Sequence, residues 1–180
     1  MKSVKDMSIG ELGAFVSGHL EDHGVKVTLT GGACVTIYSD NRYQSFDLDF
    51  IEEMPSGRKR LSDILAVIGF MEERRYFRHP ETEFFLEFPP GPLSVGGEPM
   101  KEIVSTKFST GTLRMISPTD CVKDRLAAFY HWDDRQSLEQ ALMVTRAQEV
   151  DLLEIRRWSE REGESGKFER FMNLLPTPRR

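Results

Sequence analysis

The 180 residues, 39% hydrophobic and with twelve Phe, suffice to bury the core of one domain, or of a core with a helical appendage. A formal net charge of -5 lacks the basic footprint of a protein that coats nucleic acid without regard to sequence. No apolar run approaches the ~20 residues of a membrane-spanning helix, and MKSVKDMSIGELG lacks the apolar segment of a secretory signal, so a reducing cytoplasm is the expected location.

In chain order, Ser8 to Glu11 form a capping-box sequence. Leu12, Phe15, Val16 and Leu20 then recur at helical spacing, which predicts a helix ending at Gly24. VKVTLT, Val25 to Thr30, alternates and is rich in β-branched residues, predicting a strand that runs into Gly31-Gly32. ACVTIYS is ambiguous by propensity, and a short helix after the glycine turn suits it. FDLDFI predicts a second strand. From Met54 the chain begins with turn residues and continues as an amphipathic helix through Leu61, Ile64, Leu65 and Ile68. ETEFFLEF, Glu81 to Phe88, predicts a strand closed by Pro89-Pro90-Gly91-Pro92, which cannot continue a ladder. EIVSTKF and TLRMIS predict a hairpin with Thr110-Gly111 near its turn.

Ser117 to Asp120 is the clearest helix start: a cap, a proline in the first turn and an acid on the helix dipole. From there to Leu175 almost every residue reads as helical, with an interruption near Gly163 to Gly166. The order predicts an α+β fold, a small mixed β-sheet with flanking helices followed by a C-terminal helical region. The expected division is an α/β core over residues 1–116 and a helical region over 117–180 packed on it.

Cys34 and Cys121 have neither metal-ligand spacing nor the density of a disulfide scaffold, and Cys34 reads as a core thiol. His19 and His23 sit four apart on the first helix, but the glutamate of a zinc-protease motif is absent between them. His131 reads as a histidine at a helix C-terminus. Phe168, Phe171 and Met172 read as helix packing.

The chemistry-bearing stretch is LTGGACVTIYSDNRYQSFDLDFI, Leu29 to Ile51. In a strand, residues two apart face the same way, so Asp47 and Asp49 project together while Leu48 points to the other side. Two carboxylates ~5 Å apart at an effective dielectric near 20 repel by roughly 3 kcal/mol. A fold tolerates that where the pair is well solvated or where a divalent cation lies between them. Hard cations such as Mg²⁺ take oxygen ligands from one or two carboxylates and fill their shells with water and phosphate oxygens. Gly31-Gly32, after a strand and before a helix, lets backbone N–H groups approach a phosphate, and the helix N-terminus adds partial positive charge. Alone, a Gly-Gly is most often a turn and a D-x-D most often a solvated edge. Their order and spacing together suit a metal-bound triphosphate.

Thr30, Gly31, Gly32 and Ala33, followed by Ser45, Asp47, Leu48, Asp49 and Phe50, resemble the signature of the DNA polymerase β-like nucleotidyltransferase superfamily, in which Gly-Gly or Gly-Ser precedes Asp-x-Asp. They are most similar to AbiEii-type toxins and related nucleotidyltransferase-like families. One departure is visible: Tyr43 stands where those families carry an Arg two residues before the Ser or Thr, and Arg42 is one place earlier. The resemblance implies a nucleotidyltransferase fold and transfer of a nucleoside monophosphate from a Mg-bound NTP to an acceptor. It implies Asp47, Asp49 and a third carboxylate as catalytic residues and as ligands of a two-metal Mg²⁺ site.

Glu87 in FFLEF is the preferred third acid. Glu83 and Glu81 compete for the role, and a charge that discourages edge-strand aggregation is the plain alternative. The resemblance also places Gly31, Gly32 and Ser45 at the phosphates. Aligning Leu126 and Ala128 with the family's basic helix adds Arg125, with Lys123 nearby, as cations for the triphosphate. An ordinary solvated helix charge is the alternative there. Arg74, Arg75 and Arg78 are further phosphate candidates, weighed against simple surface charges. The implied acceptors are tRNA, protein or a small molecule, with an antitoxin protein as partner if the chain is a toxin; no membrane partner is expected. A non-catalytic nucleotide-binding or regulatory module that keeps the fold is the rival reading.

Overall fold

The computed structural model describes residues 2–176, so the last four residues of the expected helical region lie outside the described residues. Ser8 caps the first helix, α1 (Ile9–Asp22), through the full capping box: its side chain accepts from Glu11 N while the Glu11 carboxylate accepts from Ser8 N at 2.8 Å. The chain then forms β1 (Val27–Thr30), α2 (Gly31–Tyr38), β2 (Asp47–Glu52) and α3 (Arg58–Val67). Short strands follow: β3 (Met71–Glu73), β4 (Tyr76–Arg78), β5 (Phe85–Glu87), then β6 (Ser94–Val95) and β7 (Glu98–Pro99). The hairpin β8 (Ile103–Phe108) and β9 (Gly111–Ile116) completes the strands. Four helices end the chain: α4 (Pro118–Trp132), α5 (Arg135–Ala147), α6 (Leu152–Arg161) and α7 (Ser165–Asn173).

Seven strands make one mixed sheet in the order β3-β4-β5-β2-β1-β9-β8, and β6 and β7 pair separately. β2 lies antiparallel to β1 and parallel to β5, while β9 runs parallel to β1. Alternation along β2 buries Leu48 and Phe50 completely and leaves Asp47, Asp49 and Ile51 half-buried on the other face. Against the buried face lies α1, close enough that a Cβ on Gly13 would stand 3.2 Å from Leu113 and 3.4 Å from Leu48. The α+β architecture expected from the sequence is present, with the helices from α4 onward following the last strand.

Four local expectations differ. The ETEFFLEF strand shrinks to Phe85–Glu87, since Glu81 to Phe84 form turn and loop held by a Thr82 hydroxyl and His79. The third helix stops at Val67, before Ile68, and Gly69 (φ 86°) turns the chain into an unpredicted hairpin, β3 with β4. The small β6–β7 hairpin was equally unpredicted. The C-terminal helical stretch restarts at two unexpected places, after the helix end expected at His131 and again before Leu152, because Asp134 and Asp151 each cap a new helix: Asp134 accepts from Gln136 N at 2.9 Å, and Asp151 from Glu154 N at 2.9 Å. Among the described residues no helix is long and apolar enough to cross a membrane.

Candidate active site

The site begins where β1 ends. In the antiparallel register Thr30 lies opposite Asp49, and in the parallel register Asp49 lies opposite Glu87, so both carboxylates share one sheet face on neighbouring strands. Asp47, two residues earlier on β2, faces the same way. Thr30 is the N-cap of α2, yet its hydroxyl donates to Asp49 O at 3.2 Å instead of to the helix. The first N–H groups of α2 therefore lack a side-chain cap, leaving donors and positive dipole at the end of β1.

Both glycines are demanded by close approach. Gly31 takes φ 70°, and a Cβ there would collide with Asp49 Oδ2. A Cβ on Gly32 would stand 2.9 Å from Ser45 Oγ and 3.5 Å from the Tyr43 ring. Tyr43 therefore packs against the second glycine, while Arg42 is exposed. Ser45 is buried: its N–H donates to Thr36 Oγ1 at 2.9 Å, its hydroxyl donates to the Asp47 carboxylate, and Thr36 in turn donates to Gly32 O at 3.2 Å. The double glycine and the twin aspartates thus converge.

Electrostatically the face is short of positive charge. Burial, then the neighbouring Asp47, then Glu87, push the Asp49 carboxyl up to about 7; Arg125 opposes the rise and Asp124 adds to it. Arg125, on α4, donates Nε to Asp124 Oδ2 at 3.1 Å and Nη1 to Gln140 Oε1 at 3.3 Å. Burial alone would lower the Arg125 pKa, but the Asp124 carboxylate outweighs it and keeps the guanidinium charged. Glu87 lies 3.4 Å from Arg75 Nε.

Gly31, Gly32, Ser45, Asp47, Asp49, Glu87 and Arg125 are therefore gathered at one end of the sheet. Lys123 is not. It is 3% exposed and its Nζ lies 2.7 Å from Glu154 and 3.6 Å from Asp120, so the expected phosphate contact gives way to an ion pair between α4 and α6. Of the competing acids, Glu81 and Glu83 sit in the loop before β5, outside the ladder that sets Glu87 beside Asp49. Asp124 enters the site without having been singled out, since adjacent opposite charges on a helix carry no distinguishing pattern; of the three candidate arginines Arg74, Arg75 and Arg78, it is Arg75 that stands beside Glu87. A cleft of about 560 Å³ lined by Pro55, Arg58, Phe88 and Pro89 lies toward the far end of β2, away from these groups.

The donor set is chemically right for a hard divalent cation, being carboxylate oxygens whose mutual repulsion is only partly offset by Arg75 and Arg125. Among the described residues, however, no three His, Cys, Asp or Glu side chains stand grouped as a metal-holding cluster. Asp47 is engaged by Ser45 and Glu87 by Arg75.

The chain matches no protein-family model and no curated protein sequence. Among solved structures it is similar to the crystal structure of ANT(2")-Ia in complex with adenylyl-2"-tobramycin, with 13% identity and a TM-score of 0.49 over 86% of this chain and 93% of that one. It is also similar to the solution structure of the antibiotic-resistance factor ANT(2'')-Ia, with 14% identity and a TM-score of 0.46 over 88% of this chain and 90% of that one.

Proposed function

We propose that the protein is a Mg²⁺-dependent nucleotidyltransferase that moves a nucleoside monophosphate from an NTP to an acceptor hydroxyl. One observation carries the reading: Asp49, a carboxylate destabilised by burial and by its acidic neighbours, is held against Gly31 at an uncapped helix N-terminus. That arrangement wants a cation on one side and an anion on the other. Asp47 and Asp49, with Glu87 as a third oxygen donor, would hold a magnesium ion, which would neutralise charge on the triphosphate and on the departing pyrophosphate.

The remaining roles fall to the chain's own groups. The N–H groups of Gly31 and Gly32 donate to the outer phosphates, and the Ser45 hydroxyl, released from Asp47, adds a further donor. Arg125, kept charged by Asp124 and steadied by Gln140, faces the negative charge that builds on the leaving group. Glu87 takes the acceptor's proton. The acceptor oxygen forms a bond to the α-phosphorus as the α–β bridging P–O bond breaks, pyrophosphate leaves with that electron pair, and the proton stays on the Glu87 carboxylate. tRNA, protein and small-molecule acceptors all offer such a hydroxyl. The motif's likeness to AbiEii-type toxins extends the reading to a toxin held by an antitoxin; growth arrest on expression, relieved by Asp49→Asn, tests that extension.

Thermal unfolding with each of the four NTPs, with and without Mg²⁺, tests the core of the proposal. A nucleotide at 100 times its Kd adds roughly 2.7 kcal/mol of stability, and this shift should require Mg²⁺ and vanish in Asp49→Asn. Four NTPs that leave the midpoint unmoved would sink the reading. A second reading, a nucleotide-binding module without turnover, is favoured by the absence of a preformed three-carboxylate cluster among the described residues. It predicts the same thermal shift but no pyrophosphate release with any acceptor.

A further inference from the structure

Glu87, the third acid of the face, is already engaged. Its Oε1 lies 3.4 Å from Arg75 Nε, on a side chain from the β3–β4 turn. The root of that side chain is fixed. Arg58, on α3, donates Nη2 to Arg75 O at 2.9 Å and Nε to Glu72 Oε1 at 2.7 Å, with its guanidinium 4.4 Å from the Phe77 ring centroid. The head is loose. The Arg75 side chain is 71% exposed, and among the described residues Tyr76 is what steadies it besides Glu87, through its hydroxyl at 2.5 Å and its ring 4.8 Å from the guanidinium carbon. An ion pair this exposed shifts an equilibrium by no more than about fivefold, so it yields readily to a stronger cation.

We propose that Arg75 is a built-in counter-ion for Glu87: it holds that carboxylate in the unloaded protein, gives way to a divalent cation, and then pairs with phosphate oxygens of the bound nucleotide. This rests on the reading of Asp47, Asp49 and Glu87 as a metal–triphosphate site. It accounts for a face with the right acids and no preformed cluster among the described residues, because the third acid is occupied by a guanidinium tethered beside it. A tethered cation of this kind is a positioning residue with opposite effects on its two partners. It competes with a metal ion alone, and it assists a metal ion that arrives carrying phosphates.

Mn²⁺ binding to the full chain, read by electron paramagnetic resonance, separates these effects. Arg75→Gln should bind free Mn²⁺ about two- to fivefold more tightly than the wild type. At saturating Mn²⁺ it should bind a non-hydrolysable NTP about three- to tenfold more weakly, as expected for a lost charge-assisted contact. Arg78→Gln is the control. Arg78 carries the same charge on the same hairpin but pairs with Glu73 at 3.4 Å and lies 4.7 Å over the Phe85 ring. Its loss should change Mn²⁺ affinity by less than about twofold. Wild-type Mn²⁺ affinity in Arg75→Gln, or equal tightening in Arg78→Gln, overturns the counter-ion role while the metal site stands. If the wild type holds Mn²⁺ no better than Asp49→Asn, the metal reading itself falls, and the role of Arg75 with it.

Discussion

Asp49 sets the proposed function against the molecule's stability. Its carboxyl titrates at about 7 in the folded protein against 3.8 as the ordinary value. Between those pH values the folded chain keeps a proton that the unfolded chain has released. Stability therefore falls as pH rises from about 4 to about 7, and the penalty is fully present above that window. Asp49→Asn removes it. With an allowance for solvent reaching a half-buried group, the variant should be about 1–3 kcal/mol more stable than the wild type at pH 8 and close to it at pH 4. Urea unfolding at the two pH values checks this, and a difference that does not grow with pH contradicts it. Gly31→Ala acts in the opposite sense. An Ala at φ 70° is strained by roughly 1 kcal/mol, and its Cβ would also displace the Asp49 carboxylate. We expect about 1–3 kcal/mol of destabilisation together with loss of the Mg²⁺-NTP thermal shift. Gly32→Ala, at ordinary helical φ, should lose nucleotide binding with a smaller change in stability.

At the scale of elements, what could be read in the sequence was what local chemistry decides alone. The α1 capping box, the Ser117-Pro118 start of α4, the β1–α2 junction at Gly31-Gly32 and the β8–β9 hairpin each carry their signal within a few residues. The β3–β4 hairpin carries none. Its strands are three residues each, and its turn is Arg74-Arg75 with Arg74 at φ 61°, where glycine or asparagine would have announced it. Strand register, and with it the choice of Glu87 over Glu83, depends on pairing between β2 and β5 across more than thirty residues of sequence. The end of α4 is a mixed case: His131, read as a histidine at a helix C-terminus, does lie in its last turn, but the restart was not expected, and Asp133 at φ 52° ends α4 while Asp134 caps α5. Asp134→Ala removes acceptors for Gln136 N, Ser137 N and the Ser137 hydroxyl. It should cost about 0.5–2 kcal/mol. Because α5 carries Gln140, which holds Arg125, the same change should weaken nucleotide binding modestly. A stability loss below the error of chemical denaturation would contradict the cap.

At the scale of the whole molecule, charge divides into two networks with different tasks. One is the acid-rich face at the sheet end, compensated only in part, by the exposed Arg75–Glu87 pair. The other joins α4, α6 and the β7 strand: Lys123 with Glu154, Arg157 with both Glu154 and Glu98, and Arg161 with Glu98. Arg157 first, with Lys123 assisting, holds the Glu154 carboxyl well below the ordinary range, the sign of a satisfied pair and the reverse of Asp49. Lys123 is where the two tasks were hardest to tell apart, since a lysine two residues from Arg125 on one helix could belong to either network. Its burial beside Glu154 and Asp120 assigns it to the second. Lys123→Met keeps the stem's packing and removes the charge, leaving Glu154 with Arg157 and Lys101 but Asp120 without its partner. Breaking a fully buried pair costs about 3–5 kcal/mol; with Glu154 partly open to water, about 2–3 kcal/mol is expected here. Nucleotide affinity, measured by calorimetry below the unfolding range, should stay within about twofold of the wild type, since the site lies beyond the helix from Glu154. A variant that keeps its stability but loses the nucleotide would return Lys123 to the phosphates and merge the two networks into one.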